Sequence, residues 1–286
     1  MVDNIRGEMR NVLIMVAPNG ARLGKADAPG VPLTPGELAA EAVACRNAGA
    51  AAMHLHVRDE AGRHSLEAAH YREALAAVRA AVGQGMVLQV TTEAAGRYRP
   101  EAQMQAVRQV RPEAVSIALR ELLPEGVDTA RQREVLAFLQ WMHAEGVAPQ
   151  FILYEAGEVA RLARLMKQGA LPWARLFVLF VLGRYGGEPA SAGMLDGFLD
   201  AFQPLRQRAA WMACAFGARQ LEVLRHVALR GGHVRVGFEN GRDIAPGKAA
   251  RGNAELVAAL AKMLREEGLA PMNATHARRL MGVQGS

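Results

Sequence analysis

Cysteine, aromatic residues and long apolar runs are all scarce in this chain of 286 residues. Its two cysteines, Cys45 and Cys214, lie far apart within apolar segments, which argues against a disulfide framework and indicates a reducing compartment. Aromatic residues make up only 5% of the chain, which suits helices packed on strands better than an all-β sandwich. One of the most apolar stretches, residues 176–183, is far too short to cross a bilayer. The first ten residues, MVDNIRGEMR, lack the apolar core of a signal peptide, so we expect a cytoplasmic protein with no membrane partner.

The chain also lacks dense runs of charge and flexible linkers. Its 34 Lys and Arg residues outnumber its 28 Asp and Glu residues, which gives a net charge of +6. These cations are scattered over predicted helix faces, so we expect a diffusely basic surface and no nucleic-acid partner, with attraction of anionic substrates as the alternative role. Because no Pro-, Gly- or Ser-rich stretch divides the chain, we expect residues 1–286 to form a single domain.

What the sequence does contain is one alternation, a short apolar run followed by a segment with helical periodicity, repeated eight times. Most of the apolar runs are continuous, which is typical of parallel strands covered by helices. The predicted strands are Val12–Ala17, Ala52–Arg58, Met86–Thr92, Ala114–Ala118, Ala148–Tyr154, Leu176–Leu182, Ala209–Ala213 and His233–Glu239.

The intervening segments carry helix-start and helix-stop signals. The first has Thr34 as a predicted N-cap, Pro35 at the first helical position, Glu37 at the third and Gly49 as the stop. The predicted helices are Leu33–Gly49, Leu66–Val82, Glu101–Val110, Thr129–Glu145, Gly157–Gln168, Ala192–Ala201, Gly217–Leu229, Asn253–Glu267 and a short C-terminal helix, Ala274–Met281. Eight such units with right-handed crossovers predict an α/β fold, a closed (β/α)8 TIM barrel, over an open doubly wound sheet.

Two histidines lie on one face of the second predicted strand. His54 and His56 are two residues apart, so both imidazoles project to the same side, toward the barrel interior. An H-x-H pair on a strand can supply two nitrogen ligands to a metal. The alternative is a pair of polar side chains satisfied by hydrogen bonds inside the barrel.

The eighth predicted strand adds a carboxylate. Arg235 and Glu239 share one face of it, with Glu239 at the C-terminal end, where TIM-barrel active sites lie. Two histidines and one carboxylate leave open positions for substrate oxygens, which is typical of a catalytic rather than a structural metal site. We therefore predict one divalent metal bound by His54, His56 and Glu239. Zinc (Zn2+) is the first choice, and manganese, iron, cobalt and nickel are alternatives.

These motifs resemble those of the β-keto acid cleavage enzymes, whose founding activity is the cleavage of 3-keto-5-aminohexanoate. The matching segments are residues 31–37 (VPLTPGE), 51–59 (AAMHLHVRD), 89–92 (QVTT), 180–183 (FVLG), 231–240 (GGHVRVGFEN), 253–257 (NAELV) and 277–280 (ARRL). The resemblance covers nearly the whole chain. It implies a TIM barrel with one zinc, assembled as a homotetramer.

The resemblance also implies a reaction. A β-keto acid and acetyl-CoA would exchange acyl groups in a metal-assisted retro-Claisen cleavage, which gives acetoacetate and a new CoA ester. By motif position, the three metal ligands named above match those of the family, and Arg235 matches an arginine beside the chemistry. Thr91 takes the place of a family Ser or Thr, and Ser116 matches a hydroxyl on the fourth strand.

Several positions around the metal depart from the family pattern. Asn240 stands where the family has an aspartate that pairs with the strand-eight arginine, and an amide cannot accept a proton at neutral pH. Ile152 and Ala118 replace a family glutamate and asparagine. Glu93, at a family glycine, and Glu155, after the fifth strand, are candidates for the missing base. The alternative for both is a loop salt bridge or a carboxylate at a helix start.

Arg22, after the first strand, stands where the lysine-fermentation enzyme has a glutamate. A guanidinium there favours a distal carboxylate through bidentate hydrogen bonds, unless Arg22 is a solvated loop residue. The predicted substrate is therefore an anionic, dicarboxylic β-keto acid, related to 3-oxoadipate or 3-oxoglutarate. The residues assigned to catalysis are Arg235, Asn240, Thr91 and Glu93, and those assigned to substrate binding are Arg22, Ser116 and Glu155.

The sequence thus predicts a zinc-dependent β-keto acid cleavage enzyme with acetyl-CoA as cosubstrate. Two other functions stay open. One is a metal-dependent lyase, aldolase or hydrolase that does not use CoA, and the other is a catalytically silent homologue that binds a metal or a keto acid. Dependence on CoA would separate the cleavage enzyme from the lyase, aldolase or hydrolase. Metal binding without turnover would indicate the silent homologue.

Overall fold

Eight parallel strands form a closed barrel in the computed structural model, which describes residues 9–284. The barrel strands are Ile14–Val16 (β1), Ala52–Leu55 (β2), Val87–Thr91 (β3), Ala114–Ala118 (β4), Ala148–Leu153 (β5), Leu176–Leu182 (β6), Ala209–Ala215 (β7) and His233–Val236 (β8). Each strand pairs with the next along the chain, and β8 pairs with β1 to close the ring. The predicted TIM barrel is confirmed. The single domain predicted over residues 1–286 includes residues 1–8 and 285–286, which lie outside the described part, and its extent stays a prediction.

Helices follow the strands, and all but the last of them cover the outside of the barrel. They are Pro35–Ala48 (α1), Ala68–Val82 (α2), Pro100–Val110 (α3), Leu119–Leu122 (α4), Thr129–Ala144 (α5), Ala156–Lys167 (α6), Met194–Phe202 (α7), Gln220–Leu229 (α8), Asn253–Glu266 (α9) and Ala274–Met281 (α10). The start of α1 is the predicted capping box, with Thr34 and Glu37 bonded to each other's backbone. None of the helices described between residues 9 and 284 has both the length and the apolar character of a membrane span.

Apolar side chains fill two layers, one between the strands and the helices and one inside the barrel. The inner layer includes Met15, Val87, Phe177 and Met212, and Met281 of α10 joins it from below. The C-terminal helix therefore closes the base of the barrel. The polar residues of the interior lie toward the opposite, C-terminal end, which is where the site forms.

The eighth strand ends earlier than predicted. It stops at Val236 instead of Glu239, because Gly237 adopts a φ of +149° and turns the chain. A side chain on Gly237 would meet the carbonyl oxygen of Ala17 at 2.2 Å, so only glycine fits there. Glu239 consequently lies on a turn, and the strand alternation used to place it was the wrong argument for its position.

The second strand also ends early. It stops at Leu55, and Val57–Arg58 then pairs in antiparallel fashion with His64–Ser65 in a small hairpin. Val12, the first residue of the predicted first strand, instead forms a separate short strand with Asn11, which pairs with Ala270–Pro271 at the base of the barrel. The predicted bounds of β4 and β6 agree with the structure at both ends.

Candidate metal centre and active site

The three residues predicted as metal ligands meet at the C-terminal mouth of the barrel. His54 is in β2, His56 lies just beyond it, and Glu239 lies on the turn after β8. The two Nε2 atoms are 3.1 Å apart, and Glu239 Oε2 is 3.5 Å from each of them. Each of the three offers one ligand atom, and these atoms all lie within 4.8 Å of one another, close enough to share a metal ion.

Buried polar side chains fix the backbone around these ligands. Asn19, fully buried after β1, donates to the His56 carbonyl oxygen at 2.9 Å and accepts from the His56 amide at 3.2 Å. Gln220 of α8 accepts from the amide of Gly237 and donates to the carbonyl of Gly241, which clamps the turn that carries Glu239. Hydrogen bonds from buried side chains therefore hold both the segment after β2 and the turn after β8.

Glu239 reaches the histidines because Gly20 leaves space for it. Gly20 has a φ of +58°, and a β-carbon there would lie 2.8 Å from Glu239 Cγ. Any larger residue would push the carboxylate away from the histidines.

A relay of amides orients the first histidine. His54 Nδ1 lies 2.8 Å from Gln89 Oε1, and Gln89 Nε2 donates to Gln150 Oε1 at 3.2 Å. Because the amide oxygen can only accept, Nδ1 carries the proton and His54 Nε2 presents a lone pair to the centre. Burial lowers the pKa of His54 to about 4 and that of His56 well below its usual value. Both imidazoles are therefore neutral near pH 7, the state in which histidine binds metals.

The donor set fits a divalent metal. The lone pair on His54 Nε2 and the Glu239 Oε2 atom, which has no hydrogen-bond partner among residues 9–284, face each other across 3.5 Å. Two electron-rich atoms at that distance require a cation or a proton between them. With metal–ligand bonds of about 2.0–2.2 Å, the ligands of a tetrahedral zinc lie roughly 3.3–3.6 Å apart, close to the separations found here.

A buried arginine pairs with the carboxylate of this centre. Arg235 of β8 donates to Glu239 Oε1 at 2.9 Å and contacts Cys214 Sγ at 3.4 Å. Burial alone would raise the pKa of Glu239, but Arg235 and the two imidazoles hold it well below the usual value. Glu239 is therefore ionised, with Oε1 committed to Arg235 and Oε2 directed to the histidines.

The centre opens into a cavity of about 400 Å³. Its lining includes seven of the predicted site residues, namely Arg22, His54, Thr91, Glu93, Ser116, Arg235 and Glu239. Four arginines and three glutamates line it, an excess of one positive charge before any metal is counted. A cavity of this size and sign suits a small anionic ligand.

Glu93 projects into this cavity from a loop that is bonded at several points. The Glu93 amide donates to Thr91 Oγ1 at 2.9 Å, and His64 Nε2 lies 2.9 Å from the Glu93 carbonyl oxygen. One carboxylate oxygen is 3.9 Å from His56 Nε2, and the other is 3.4 Å from an Arg22 guanidinium nitrogen. Burial and the nearby Glu239 raise the pKa of Glu93 to about 7. A fixed carboxylate with this environment, beside the metal centre, can exchange protons with a bound ligand.

Two buried hydroxyls and two apolar residues complete the wall next to Glu93. Thr91 and Ser116 lie on neighbouring strands, with their side-chain oxygens 3.5 Å apart. Ile152 and Ala118, which replace polar family residues, also line the cavity. The wall on this side therefore offers two hydroxyl groups to a ligand, and Glu121 and Tyr154 line the same cavity.

Three predicted site residues do not line this cavity. One is His56, which belongs to the metal centre. Asn240 lines a second, neighbouring cavity. Glu155 is the exposed N-cap residue of α6 and forms an ion pair with Arg120 at 3.1 Å. Of the two carboxylates considered as the missing base, only Glu93 is therefore near the metal centre.

Sequence reasoning missed several residues that build the site. The sequence analysis gave no role to Asn19 and Gln89, which orient the two histidines. It also gave none to Tyr154, which lines the cavity and whose ring centroid lies 4.3 Å from the Arg120 guanidinium carbon. Gln89 lies two residues before Thr91 on β3, so strand alternation could have placed it in the interior. The role of Asn19 depends on a contact 37 residues away along the chain, which no local pattern indicates.

Comparisons with known proteins show which family the chain is similar to over nearly its whole length. The model of the β-keto acid cleavage enzyme family matches residues 11–283. The 3-keto-5-aminohexanoate cleavage enzyme of Acetoanaerobium sticklandii is 27% identical over 277 residues, which cover 96% of this chain and 99% of that protein. The 3-oxoadipate:acetyl-CoA acetyltransferase of Cupriavidus necator is 26% identical over 272 residues, covering 95% and 94%. A structure of ObcA with oxaloacetate superposes with a TM-score of 0.70 at 16% identity, covering 90% of this chain and 68% of that one, and shows the same fold.

Proposed function

The chain belongs to the β-keto acid cleavage enzyme family, and on this basis we propose that it transfers acyl groups between acetyl-CoA and a small dicarboxylic β-keto acid. The products are acetoacetate and a new CoA ester. The observation that carries the proposal is the convergence of His54, His56 and Glu239 on one point at the end of a charged cavity. Family membership supplies the reaction class, and the site supplies the residues that perform it.

The two histidines and Glu239 would hold a divalent metal, with zinc as the first candidate. When bound, the metal would supply Lewis acidity to the keto acid, which would lower the pKa of the protons on C2. Arg235 keeps Glu239 ionised and oriented, while Thr91 and Ser116 offer hydroxyl groups to the substrate oxygens.

Glu93 takes the role that Asn240 cannot perform. It accepts a proton from C2 of the keto acid, and the resulting carbanion attacks the acetyl carbonyl of acetyl-CoA and releases the thiolate. The thiolate then attacks the original C3 carbonyl, the C2–C3 bond breaks, and the electron pair returns to C2. Glu93 gives its proton back to that carbon, so acetoacetate and the new CoA ester leave with all atoms and charges balanced.

The position of Arg22 supports a second carboxylate on the substrate. Its side chain is 54% exposed at the cavity mouth, where it lies 5.4 Å above the ring of Tyr185 and 3.4 Å from Glu93. The relative from Cupriavidus necator is named for 3-oxoadipate, a dicarboxylic keto acid. A substrate that places its β-keto acid group at the metal centre would have its distal carboxylate close to Arg22.

The proposal is tested by incubating the metal-loaded protein with a panel of β-keto acids, each with and without acetyl-CoA. We expect acetoacetate to form only when acetyl-CoA is present, and fastest with five- and six-carbon dicarboxylic keto acids. Keto acid consumed at the same rate without acetyl-CoA would instead indicate a lyase or hydrolase that does not use CoA. Bound metal with no turnover of any keto acid would indicate a silent binding protein.

Substitution of Arg22 with glutamate is expected to reverse the charge preference of the enzyme. Because a guanidinium pairs with a carboxylate and a glutamate pairs with an ammonium, we expect kcat/KM for 3-oxoadipate to fall by roughly 10–100-fold, while that for a 5-amino-3-keto acid rises. Arg22→Gln should lower the first value without raising the second. Equal turnover of cationic and anionic keto acids by the wild-type protein would contradict this role of Arg22.

The homotetrameric assembly and the cytoplasmic location stay predictions. Light scattering of the purified protein would measure the first directly, with four chains per particle as the expected result.

A further inference from the structure

The loop that carries Glu93 has a backbone conformation that its own residues do not favour. Ala95 has a φ of +48° and Gly96 a φ of +70°, so two consecutive residues lie in the left-handed region. Alanine is uncommon there, because its β-carbon crowds the following carbonyl oxygen. Contacts from outside must therefore hold the Glu93 loop, defined as residues 93–98, in place.

One peptide unit of the Glu93 loop is bonded at both of its polar atoms. The carbonyl oxygen of Glu93 and the amide of Ala94 belong to the same planar unit. The carbonyl oxygen lies 2.9 Å from His64 Nε2, and the amide donates to Glu121 Oε2 at 3.0 Å. The amide of Glu93 itself donates to Thr91 Oγ1 at 2.9 Å. The backbone is therefore held on both sides of the Glu93 α-carbon, which sets the direction of its side chain.

Glu121 is itself anchored where it can hold this peptide unit. It lies in α4, in which Leu119 and Leu122 are both buried. The oxygen that accepts from the loop also accepts from the side chain of Gln103, another buried residue, at 2.6 Å. Glu121 forms no ion pair in the described part of the chain, since the neighbouring Arg120 pairs with two other glutamates. Its carboxylate is therefore committed to hydrogen bonds that support the loop.

The contacts of the Glu93 side chain are too weak to orient it by themselves. Its carboxylate pairs with Arg22, whose side chain is 54% exposed, and an ion pair with a solvated partner contributes little. The other carboxylate oxygen is 3.9 Å from His56 Nε2, which is beyond hydrogen-bond distance. The backbone of the loop therefore determines where the carboxylate points.

We propose that Glu121 is a positioning residue, which holds the peptide unit between Glu93 and Ala94 so that the Glu93 carboxylate faces the metal centre. The inference rests on the proposed function, in which Glu93 exchanges a proton with C2 of the keto acid. Proton transfer requires the two groups to lie within about 3 Å of each other. A displacement of about 1 Å can lower the rate about 10²-fold. Glu121 acts on the reaction through the loop backbone and does not touch the reacting atoms.

Steady-state kinetics and amide hydrogen exchange of metal-loaded Glu121 variants test this role. Glu121→Ala removes both hydrogen bonds, and we expect kcat to fall about 10–100-fold while KM and metal content stay near wild type. The Ala94 amide, resolved by fragmentation mass spectrometry, should exchange about tenfold faster because it loses one hydrogen bond. Glu121→Gln keeps an oxygen acceptor in the same place, so it should keep most of the wild-type turnover and the slow exchange.

A carboxylate near the other end of β3 provides the matched control. Glu113 accepts from the Leu88 amide at 2.7 Å, a bond of the same kind outside the cavity. Glu113→Ala should therefore leave kcat unchanged, even if it lowers the Tm. His64→Ala breaks the other bond of the same peptide unit and should also lower kcat, so it serves if Glu121→Ala does not fold. Its metal content is measured in parallel, because the His64 ring centroid lies 5.1 Å from that of His56.

The outcomes separate the positioning role from the reaction. Wild-type protein that forms no acetoacetate would contradict the proposed function, and the Ala94 exchange rate would then still decide whether Glu121 holds the loop. Unchanged Ala94 exchange in Glu121→Ala, or turnover as fast as wild type, would overturn the role of Glu121. An equal loss of kcat in Glu121→Gln would also overturn it, because the charge and not the hydrogen bonds would then matter. A raised KM with unchanged kcat would overturn it too, since Glu121 would then contact the substrate.

Discussion

Alanine in place of His54 is expected to remove the metal from the protein and to lower turnover by about 10³-fold or more. His54 Nε2 is one of three converging ligand atoms, 3.1 Å and 3.5 Å from the other two. Two protein ligands hold a divalent ion much less tightly than three, and Lewis-acid stabilisation of the transition state is worth several kcal/mol. Elemental analysis gives the metal content, and acetyl-CoA-dependent acetoacetate release gives the turnover.

A histidine outside the site provides the matched control. His276 is exposed on α10, on the opposite end of the barrel, so His276→Ala should keep both full metal content and full activity. Full metal content in His54→Ala would show that the ion binds elsewhere. Lost metal with unchanged turnover would show that the reaction does not need it, and either result would contradict the assigned centre.

Glutamine in place of Glu93 is expected to lower kcat by about 10²–10⁴-fold, the usual contribution of a general base, while metal content stays near wild type. The amide keeps the shape of the side chain and its backbone hydrogen bonds but cannot accept a proton. Glu93 is the candidate because its carboxylate is fixed between His56 and Arg22, whereas Glu155 is exposed on α6 and paired with Arg120.

Two comparisons make the Glu93 result specific. Glu222→Gln removes a carboxylate that pairs with Arg219 on the outside of the barrel, and it should leave kcat unchanged. Arg22→Gln removes the ion-pair partner of Glu93 and should raise KM for dicarboxylic substrates more than it lowers kcat. If Glu93→Gln turns over as fast as wild type, Glu93 is not the base and the proton must go to another group.

The fold was predictable because its signals are local and repeated. Eight apolar runs alternate with eight helical segments, and the Thr34–Glu37 capping box forms as the residue types indicate. Strand ends were less predictable where a single backbone angle decides them. Gly237 ends β8 three residues before the predicted end, because its φ is positive and the chain turns there.

The metal ligands were predictable from residue type and strand position, whereas their surroundings were not. His54 and His56 are two apart on one strand, and Glu239 follows another strand end. Nothing in the sequence distinguishes Glu93 from Glu155, since both follow strands, and only the closed barrel shows that one faces the centre. The same holds for Asn240, which lines a second cavity and not the one at the metal centre, although its neighbour Glu239 lines both. Such differences arise from contacts between residues far apart in the chain.

The most direct test of the account uses acetyl-CoA labelled with ¹³C in both acetyl carbons, together with unlabelled 3-oxoadipate and the metal-loaded enzyme. The proposed bond changes place the labelled acetyl group at C3 and C4 of acetoacetate, and the new CoA ester carries no label. Mass spectrometry of both products measures this distribution. Unlabelled acetoacetate, or a labelled CoA ester, would show that the acyl exchange proposed here does not take place.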